Sequence, residues 1–140
     1  MDTEDRPYSL DAQIGFVLRR VNQRHLSIFS EGIPALTTTQ FAALARLAEH
    51  GQMSQNQLGR ETAMDAATIK GVVDRLRRQG LVESAPDAED KRRLQVRLSP
   101  AGAVQFEATW RQALAVTDRT LAPLSAEERK QLMALLLRLV

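Results

Sequence analysis

The sequence predicts a mainly α-helical domain with one small β-hairpin. In most segments of the 140-residue chain, apolar residues recur at the three-to-four-residue spacing of an amphipathic helix. Residues 94–98 instead alternate apolar and polar side chains, which is the pattern of a half-buried strand. With 44% hydrophobic and 26% charged residues, the chain is expected to form a folded core. We therefore expect a single domain over residues 1–140.

The first element is expected to be a long helix from Ser9 to Phe29. Its inner stripe is formed by Leu10, Ile14, Val17, Leu18, Val21 and Ile28. Gly32 and Pro34 oppose any continuation, so the helix should end in the segment EGIPALT.

Two shorter helices should follow. The first is expected to be capped by Thr38 or Thr39 and to run to about Glu49, with Gly51 after its end. Its inward residues are expected to be Phe41, Leu44 and either Leu47 or Ala48.

Ser54 should begin the next helix, because Ser54 and Gln57 have the spacing of a capping box; the helix should end at residue 61 or 62. Free amides at helix N-termini suit phosphate, so Thr38, Ser54 and Gln55 are candidate DNA contacts. Ordinary capping explains the same residue types, and the two roles are compatible.

The helix after the turn at residues 63–65 has two contrasting faces. Asp65 suits its N-cap, and Ile69, Val72, Val73 and Leu76 form an inward stripe. The rest of the surface has small residues early and cations late, with candidate contacts at Ala67, Thr68, Lys70, Gly71, Arg75 and Arg78. A glycine within a helix costs roughly 1 kcal/mol relative to alanine, which suggests that something approaches Gly71 closely. A major-groove floor fits that description, whereas a solvated surface helix is the alternative.

A hairpin is expected directly after this helix. Residues 81–85 should pair with residues 94–98, where Leu94, Val96 and Leu98 face one side, across an eight-residue loop. Positions 91–97 hold four cations and no acid, although the whole chain has a net charge of only +2. Three acids in the loop argue against a simple phosphate loop, and one of them could hold an arginine through a bidentate pair. A cationic helix followed by a cationic hairpin can occupy two adjacent DNA grooves.

The run TIKGVVDRLRRQGLVESAPDAEDKRRLQVRLSPAG resembles the signature of the MarR family of winged helix-turn-helix regulators. The matching residues are Val73, Asp74, Arg75, Leu76, Gly80, Leu81, Val82, Asp87, Asp90, Lys91, Arg92, Leu98, Ser99 and Gly102. The resemblance implies that Arg92 enters a minor groove from the hairpin (the wing) and that Asp90 orients it. Lys91 stands where the family often has arginine, which keeps the charge without the planar fork. The DNA-binding lobe is then expected to span residues 37–98.

The two ends of the chain predict a homodimer. Residues 132–140, LMALLLRLV, have leucines on more than one face, and Tyr8, Leu10 and Ile14 begin the first helix in a similar way. A single small domain has little core to cover these residues, although packing of two long helices within one chain is an alternative. Dimerisation helices are expected over residues 8–31 and 100–140. The family resemblance implies the same arrangement, and its symmetry implies a palindromic operator in double-stranded DNA.

An effector site is expected near His25, which lies on the apolar stripe of the first helix. Lone histidines in such positions most often have a core or interface role. Alternatively, His25 and Arg24 could receive an aromatic acid, with Phe29 and Phe41 as apolar walls. Trp110 is a further candidate wall, although core packing is favoured for both Trp110 and Phe41. The stretch QIGFVLRRVNQRHLSIF is similar to the nicotinate-related NicR-type repressors of the family, which implies a hydroxylated pyridine carboxylate as effector.

Other function classes find little support. The chain has no cysteine and only two histidines, so neither a thiolate nor a zinc site is expected. We find none of the G-x-S-x-G, phosphate-loop or H-E-x-x-H motifs, and predict no enzyme and no cofactor. Without an apolar run of about 20 residues or a signal-like start, a cytoplasmic protein is expected. The leading hypothesis is a ligand-responsive dimeric repressor; the alternative is a winged-helix protein-interaction module without sequence-specific DNA binding.

Overall fold

The computed structural model describes residues 6–90 and 92–140 and confirms a mainly helical chain with one hairpin. The elements over these residues are α1 (Ile14–Gly32), α2 (Thr38–His50), α3 (Gln55–Glu61), α4 (Ala66–Arg78), β1 (Val82–Pro86), β2 (Leu94–Leu98), α5 (Pro100–Thr120) and α6 (Ala126–Leu137). None of the described helices is both long and apolar enough to cross a membrane.

The first helix begins later than predicted. A 3₁₀ segment, Leu10–Ala12, precedes α1, and the extended backbone of Gln13 (φ −87°, ψ 133°) separates the two. The Gln13 side chain donates to the Ser9 carbonyl oxygen at 2.8 Å, which stabilises this local turn instead of a continuous helix. At its other end, α1 continues beyond Phe29 to Gly32.

Side-chain caps define the other helices. Thr37, not Thr38 or Thr39, caps α2, because its hydroxyl accepts from the Gln40 amide while the Gln40 side chain accepts from the Thr37 amide. Ser54 caps α3 as expected, with 3.1 Å between the Gln57 nitrogen and the Ser54 hydroxyl. Ser99 caps α5 in the same way.

One core joins the end of α1 to α2, α3, α4, the hairpin and the middle of α5. Its buried members are Phe29, Ile33, Leu36, Ala43, Leu44, Leu47, Met53, Leu58, Ile69, Val72, Val73, Leu76, Val82, Val96 and Val116. Leu47 rather than Ala48 completes the inner face of α2. The predicted inner stripe of α1 is wrong for a single chain, since Leu10, Ile14, Val17, Leu18 and Val21 are 39–63% exposed. Within residues 6–90 and 92–140, no other element buries that face.

The hairpin is antiparallel, and Pro86 pairs with Leu94 at its open end. This pair shortens the loop to residues 87–93. Only Val96 of the three predicted inward residues in β2 is fully buried, whereas Leu94 is 69% exposed beside the loop. An isolated bridge between Met53 and Val96 places the segment before α3 along the other edge of β2.

A close approach fixes the base of the hairpin against α5. The Leu81 carbonyl oxygen accepts from the Ser99 amide at 3.1 Å. A Cβ atom on Gly102 would lie 1.9 Å from that oxygen, so only glycine fits there. Gly80 adopts φ 74° at the preceding turn. These contacts hold the wing and the start of α5 as one unit.

Candidate DNA-binding surface

The structure confirms the predicted phase of α4. The Thr68 amide donates to Asp65 Oδ1 at 2.7 Å and holds the pKa of that carboxyl below its usual value. Ile69, Val72, Val73 and Leu76 are each at most 2% exposed. The opposite face of α4 is therefore presented outward on a firmly anchored helix.

Small residues open the outward face as expected. Ala67 and Thr68 are exposed, and the Lys70 side chain is 69% exposed. In this structure the Lys70 ammonium pairs with Asp74 Oδ2 at 3.1 Å rather than pointing straight outward. Because an exposed i,i+4 pair of this kind is weak, Lys70 can exchange Asp74 for another anion.

Gly71 has no packing requirement of the kind seen at Gly102. A Cβ atom there would meet the end of the Arg75 side chain at 3.3 Å, and that end is free to move. Apart from the adjacent residues and the backbone of α4 itself, nothing else in the described chain lies within 4 Å of this Cβ position. A close approach from outside the chain stays a prediction.

The late cations of α4 have different neighbours. Arg78 Nε donates to the Asp74 carbonyl oxygen at 3.4 Å, whereas Arg77 joins the helix to the wing. One Arg77 nitrogen lies 3.4 Å from Asp74 and the other donates to the Ser84 hydroxyl at 3.0 Å. The helical pattern of α4 does not predict this role for Arg77, since Ser84 belongs to a different element.

Asp90 orients Arg92 in the wing, as the resemblance implied. One Asp90 oxygen accepts from both the backbone amide of Arg92, at 3.0 Å, and its Nε, at 3.3 Å. The other oxygen lies 3.9 Å from Arg93 Nε, so the expected bidentate pair with one arginine is not formed. The Arg92 side chain is 92% exposed, which leaves its guanidinium group accessible.

Asp87 shapes the loop from within. It accepts from the Glu89 amide at 2.9 Å and from the Gln95 side chain at 3.1 Å. The Glu89 amide is the main reason that the pKa of Asp87 lies below its usual value. The acids of the loop thus fix the direction of the arginines. Lys91, also predicted to contact DNA, lies outside the described residues.

The predicted contacts at the helix N-termini are divided between two places. Thr38 is half-buried in the first turn of α2, next to the actual cap Thr37. Ser54 and Gln55 lie beside the wing, because the Met53–Val96 bridge holds this segment against β2. Arg60 and Arg93 line the same concave surface as Ser54 and Gln55. Neither arginine was predicted from the sequence, because their proximity depends on how α3 and the wing pack.

Arg24 and His25, two of the residues predicted to bind the effector, contact the C-terminal end of α5. The Arg24 guanidinium donates to the carbonyl oxygens of Thr120 and Arg119 at 2.6 and 3.0 Å, where it caps the helix. The half-buried His25 ring has its Nδ1 atom 2.9 Å from the Thr120 hydroxyl. Both side chains therefore have hydrogen-bond partners within one chain, which agrees with a core or interface role for His25.

The aromatic candidates form a row that runs inward from His25. Its ring centroid lies 6.5 Å from that of Phe29, Phe29 lies 6.1 Å from Phe41, and Phe41 lies 5.8 Å from Phe106. Phe29 is only 6% exposed, so it belongs to the core. Trp110 does not, contrary to expectation: it is half-buried on α5, with the Arg111 guanidinium 4.5 Å above its ring.

The predicted apolar termini come together on the surface. Ile14 of α1 and four leucines of the last segment line an open apolar hollow of about 430 Å³, with Arg138 at its edge. The four leucines are Leu132, Leu135, Leu136 and Leu139.

Comparison with known proteins identifies the family to which this chain belongs. Residues 36–93 match the family model described as MarR family. The transcriptional repressor NicR of Pseudomonas putida is 37% identical over 139 residues, which cover 98% of this chain and 88% of NicR. The chain belongs to the MarR family. The similarity of residues 13–29 to NicR-type repressors thus extends over nearly the whole chain.

Solved structures of similar proteins have the same fold. A probable transcriptional regulator from Pseudomonas aeruginosa is 54% identical, with a TM-score of 0.91 over 94% of this chain and all of that one. BpsR of Bordetella bronchiseptica, whose DNA binding is described as regulated by 6-hydroxynicotinic acid, is 35% identical. Its TM-score is 0.90, over 96% of this chain and 97% of BpsR. This MarR-family chain has transcriptional regulators, not enzymes, as relatives.

Proposed function

We propose that this protein is a homodimeric transcriptional repressor that binds a palindromic operator and is released by a small aromatic acid. The observation that carries the proposal is the pairing of Asp90 with Arg92, whose side chain is 92% exposed, beside an α4 helix whose outward face begins with small residues. Arg77 links α4 to the wing through Ser84, so the two elements can engage adjacent grooves together. The similarity to NicR supports the assignment as a repressor.

Within this proposal the other assigned contacts have distinct roles. Ala67, Thr68, Lys70 and Gly71 face the major groove, and Arg75, Arg78, Thr38, Ser54 and Gln55 face phosphates. Residues 37–98 form the DNA-binding lobe, and the helices within residues 8–31 and 100–140 join two copies. The open apolar hollow between α1 and α6 supports this division.

Replacing Arg92 tests the DNA-binding proposal. Arg92→Ala should weaken binding to the operator by about 1–3 kcal/mol and relax specificity at the contacted position. Gel shifts with DNA from upstream of the protein's own gene measure this effect. Arg97→Ala is the matched control, because Arg97 lies on the same wing but pairs with Glu83 at 2.9 Å. Equal loss in both variants, or no salt-sensitive specific complex with the unaltered protein, would favour the protein-interaction alternative.

For the effector we propose a hydroxylated pyridine carboxylate, held near His25, Phe29 and Phe41. BpsR, which responds to 6-hydroxynicotinic acid, supports this choice. The Arg24 guanidinium must exchange the carbonyl oxygens of α5 for the ligand carboxylate if it takes part, so binding there would loosen the α1–α5 contact.

Thermal shift with 6-hydroxynicotinate tests the effector site. The ligand should raise the melting temperature of the unaltered protein, since it stabilises the state that it binds. His25→Ala should lose that rise, whereas His50→Ala, at the end of α2, should keep it. A full rise in His25→Ala would place the site elsewhere. No rise in the unaltered protein would instead exclude this effector.

A further inference from the structure

A cationic concave surface lies between α3 and the base of the wing. We name it the α3–wing notch; it has a volume of about 550 Å³. Its lining residues are Ser54, Gln55, Asn56, Arg60, Arg93 and Leu94. One wall is the outer side of α3 and the other is the strand that leaves the wing loop.

Backbone hydrogen bonds fix the two walls relative to each other. The Met53 amide donates to the Val96 carbonyl oxygen at 3.1 Å, and the Val96 amide donates in return at 2.8 Å. On the wing side, the Arg93 amide donates to the Asp90 carbonyl oxygen at 3.0 Å. Arg93 also accepts from the Asp87 amide at 3.1 Å. The notch is therefore a built feature rather than a chance gap between loops.

The notch presents two arginines that are only weakly paired with acids. Over residues 6–90 and 92–140, no carboxylate lies within 4.0 Å of the Arg60 guanidinium, and no acid lines the notch. Arg93 is 76% exposed and reaches only Asp90, at 3.9 Å. Arg97, on the same wing, is by contrast closely paired with Glu83, at 2.9 Å.

The exposed Leu94 adds an apolar patch to the same surface as the two arginines. It is 69% exposed in a strand, where an apolar side chain normally gains from burial. An occupant that satisfies all these groups needs anionic oxygens for the arginines, acceptors for the amides of Gln55 and Asn56, and an apolar surface for Leu94. The sugar–phosphate backbone of DNA has this chemistry.

The position of the notch agrees with this occupant. Arg93 follows Arg92, the residue proposed to enter a minor groove, and the walls of every minor groove are sugar–phosphate strands. We infer that the α3–wing notch binds the backbone of one DNA strand, with Arg60 and Arg93 on its phosphates and Leu94 against a deoxyribose. This inference rests on the proposed DNA-binding function and adds a sequence-independent clamp to it.

The salt dependence of DNA binding tests the clamp. Each lost phosphate contact should reduce the slope of log K against log salt by about 0.9. The proposed dimer carries Arg60→Gln and Arg93→Gln in both copies, so the double variant loses four contacts and the slope should fall by about 3.6. Affinity is measured for the upstream duplex and for a shuffled duplex of the same length. Both should weaken alike, because phosphate contacts carry no base information. Arg46→Gln combined with Arg97→Gln is the charge-matched control, because these arginines pair with Glu49 at 2.8 Å and with Glu83 at 2.9 Å and lie outside the notch and the dimerisation helices.

Further variants separate the contribution of the two arginine charges from that of the apolar Leu94 side chain. Arg60→Lys combined with Arg93→Lys keeps both charges and should leave the salt slope unchanged. Leu94→Ala should weaken binding to both duplexes, also without a change in the salt slope. If the double glutamine variant has the same salt slope as the charge-matched control, the notch does not bind the DNA backbone. If the unaltered protein does not prefer the upstream duplex over the shuffled one, the repressor proposal fails. A reduced slope on the shuffled duplex would still support the clamp in that case.

Discussion

The lobe and the terminal helices use similar apolar residues in opposite ways. Leu44, Leu58 and Leu76 of the lobe are 0% exposed, whereas Leu135, Leu137 and Leu139 near the C-terminus are 57–70% exposed. None of the residues of α6 is buried, although five of its twelve residues are leucine or methionine. The difference lies in what surrounds each helix: α2, α3 and α4 pack on one another and on the hairpin, while α6 projects from the end of α5.

This contrast shows that amphipathic pattern alone does not say what covers a face. A stripe such as Ile14, Val17 and Val21 has the spacing of a core face, yet in one chain it stays exposed. Contiguous exposed apolar surface of this kind is typical of an interface. The lobe is thus expected to be stable by itself, whereas the terminal helices depend on a second copy.

The largest expected effect is on the stability of the lobe. Leu44→Ala removes a fully buried side chain and should lower the free energy of unfolding by about 2–5 kcal/mol. Leu135→Ala is the matched change in α6, and in dilute protein it should cost far less. Urea unfolding at low protein concentration measures both. Equal losses would mean that α6 is as well covered as the lobe core.

The next effect is on association. Leu135→Glu places a charge in the apolar hollow beside Ile14 and should shift the protein towards single chains, because a buried, unpaired carboxylate is unfavourable. Leu137→Glu is the control, since Leu137 is also exposed but does not line the hollow. Sedimentation at several concentrations measures the dissociation constant. If Leu137→Glu dissociates the protein as strongly as Leu135→Glu, the hollow is not the centre of the interface.

The sequence predicted those parts of the fold that depend on local spacing. The buried stripe of α4, its Asp65 cap and the Asp90–Arg92 contact involve residues at most a few positions apart, and the structure confirms each. The start of α1 was predicted too early, because the Gln13 contact to Ser9 interrupts an otherwise favourable apolar period.

Features that depend on distant partners were not accessible from the sequence. Arg24 and His25 contact Thr120, which is 96 and 95 residues away, so their caps and hydrogen bonds could not be read from α1 alone. The same holds for Arg60 and Arg93, which face one notch only because Met53 pairs with Val96. Trp110 was predicted in the core from its residue type, although it lies half-buried on α5 outside the core cluster.

The smallest expected effect is on the free energy of unfolding at acid pH, where one helix-terminal carboxylate from each region can be compared. Asp65 of α4 and Glu128 of α6 both have a pKa below the usual value, chiefly because each accepts a backbone amide, from Thr68 and Ser125 respectively. A lowered pKa in the folded state stabilises the protein above the unfolded pKa, near pH 4, and that contribution disappears as pH falls through the folded value. Asp65→Asn keeps a capping oxygen without titrating, so its unfolding free energy should depend less on pH than that of the unaltered protein.

Glu128→Gln is the matched change in α6, and it should alter the acid dependence of unfolding less than Asp65→Asn. The reason is that α4 is held in the core and its cap is lost only when the lobe unfolds, whereas α6 has no buried residue and can open locally. Urea unfolding from about pH 5 down to about pH 3 compares the two variants, since this range spans the usual carboxyl values. An equal effect of the two substitutions would contradict local opening, because it would couple α6 to the global unfolding of the lobe.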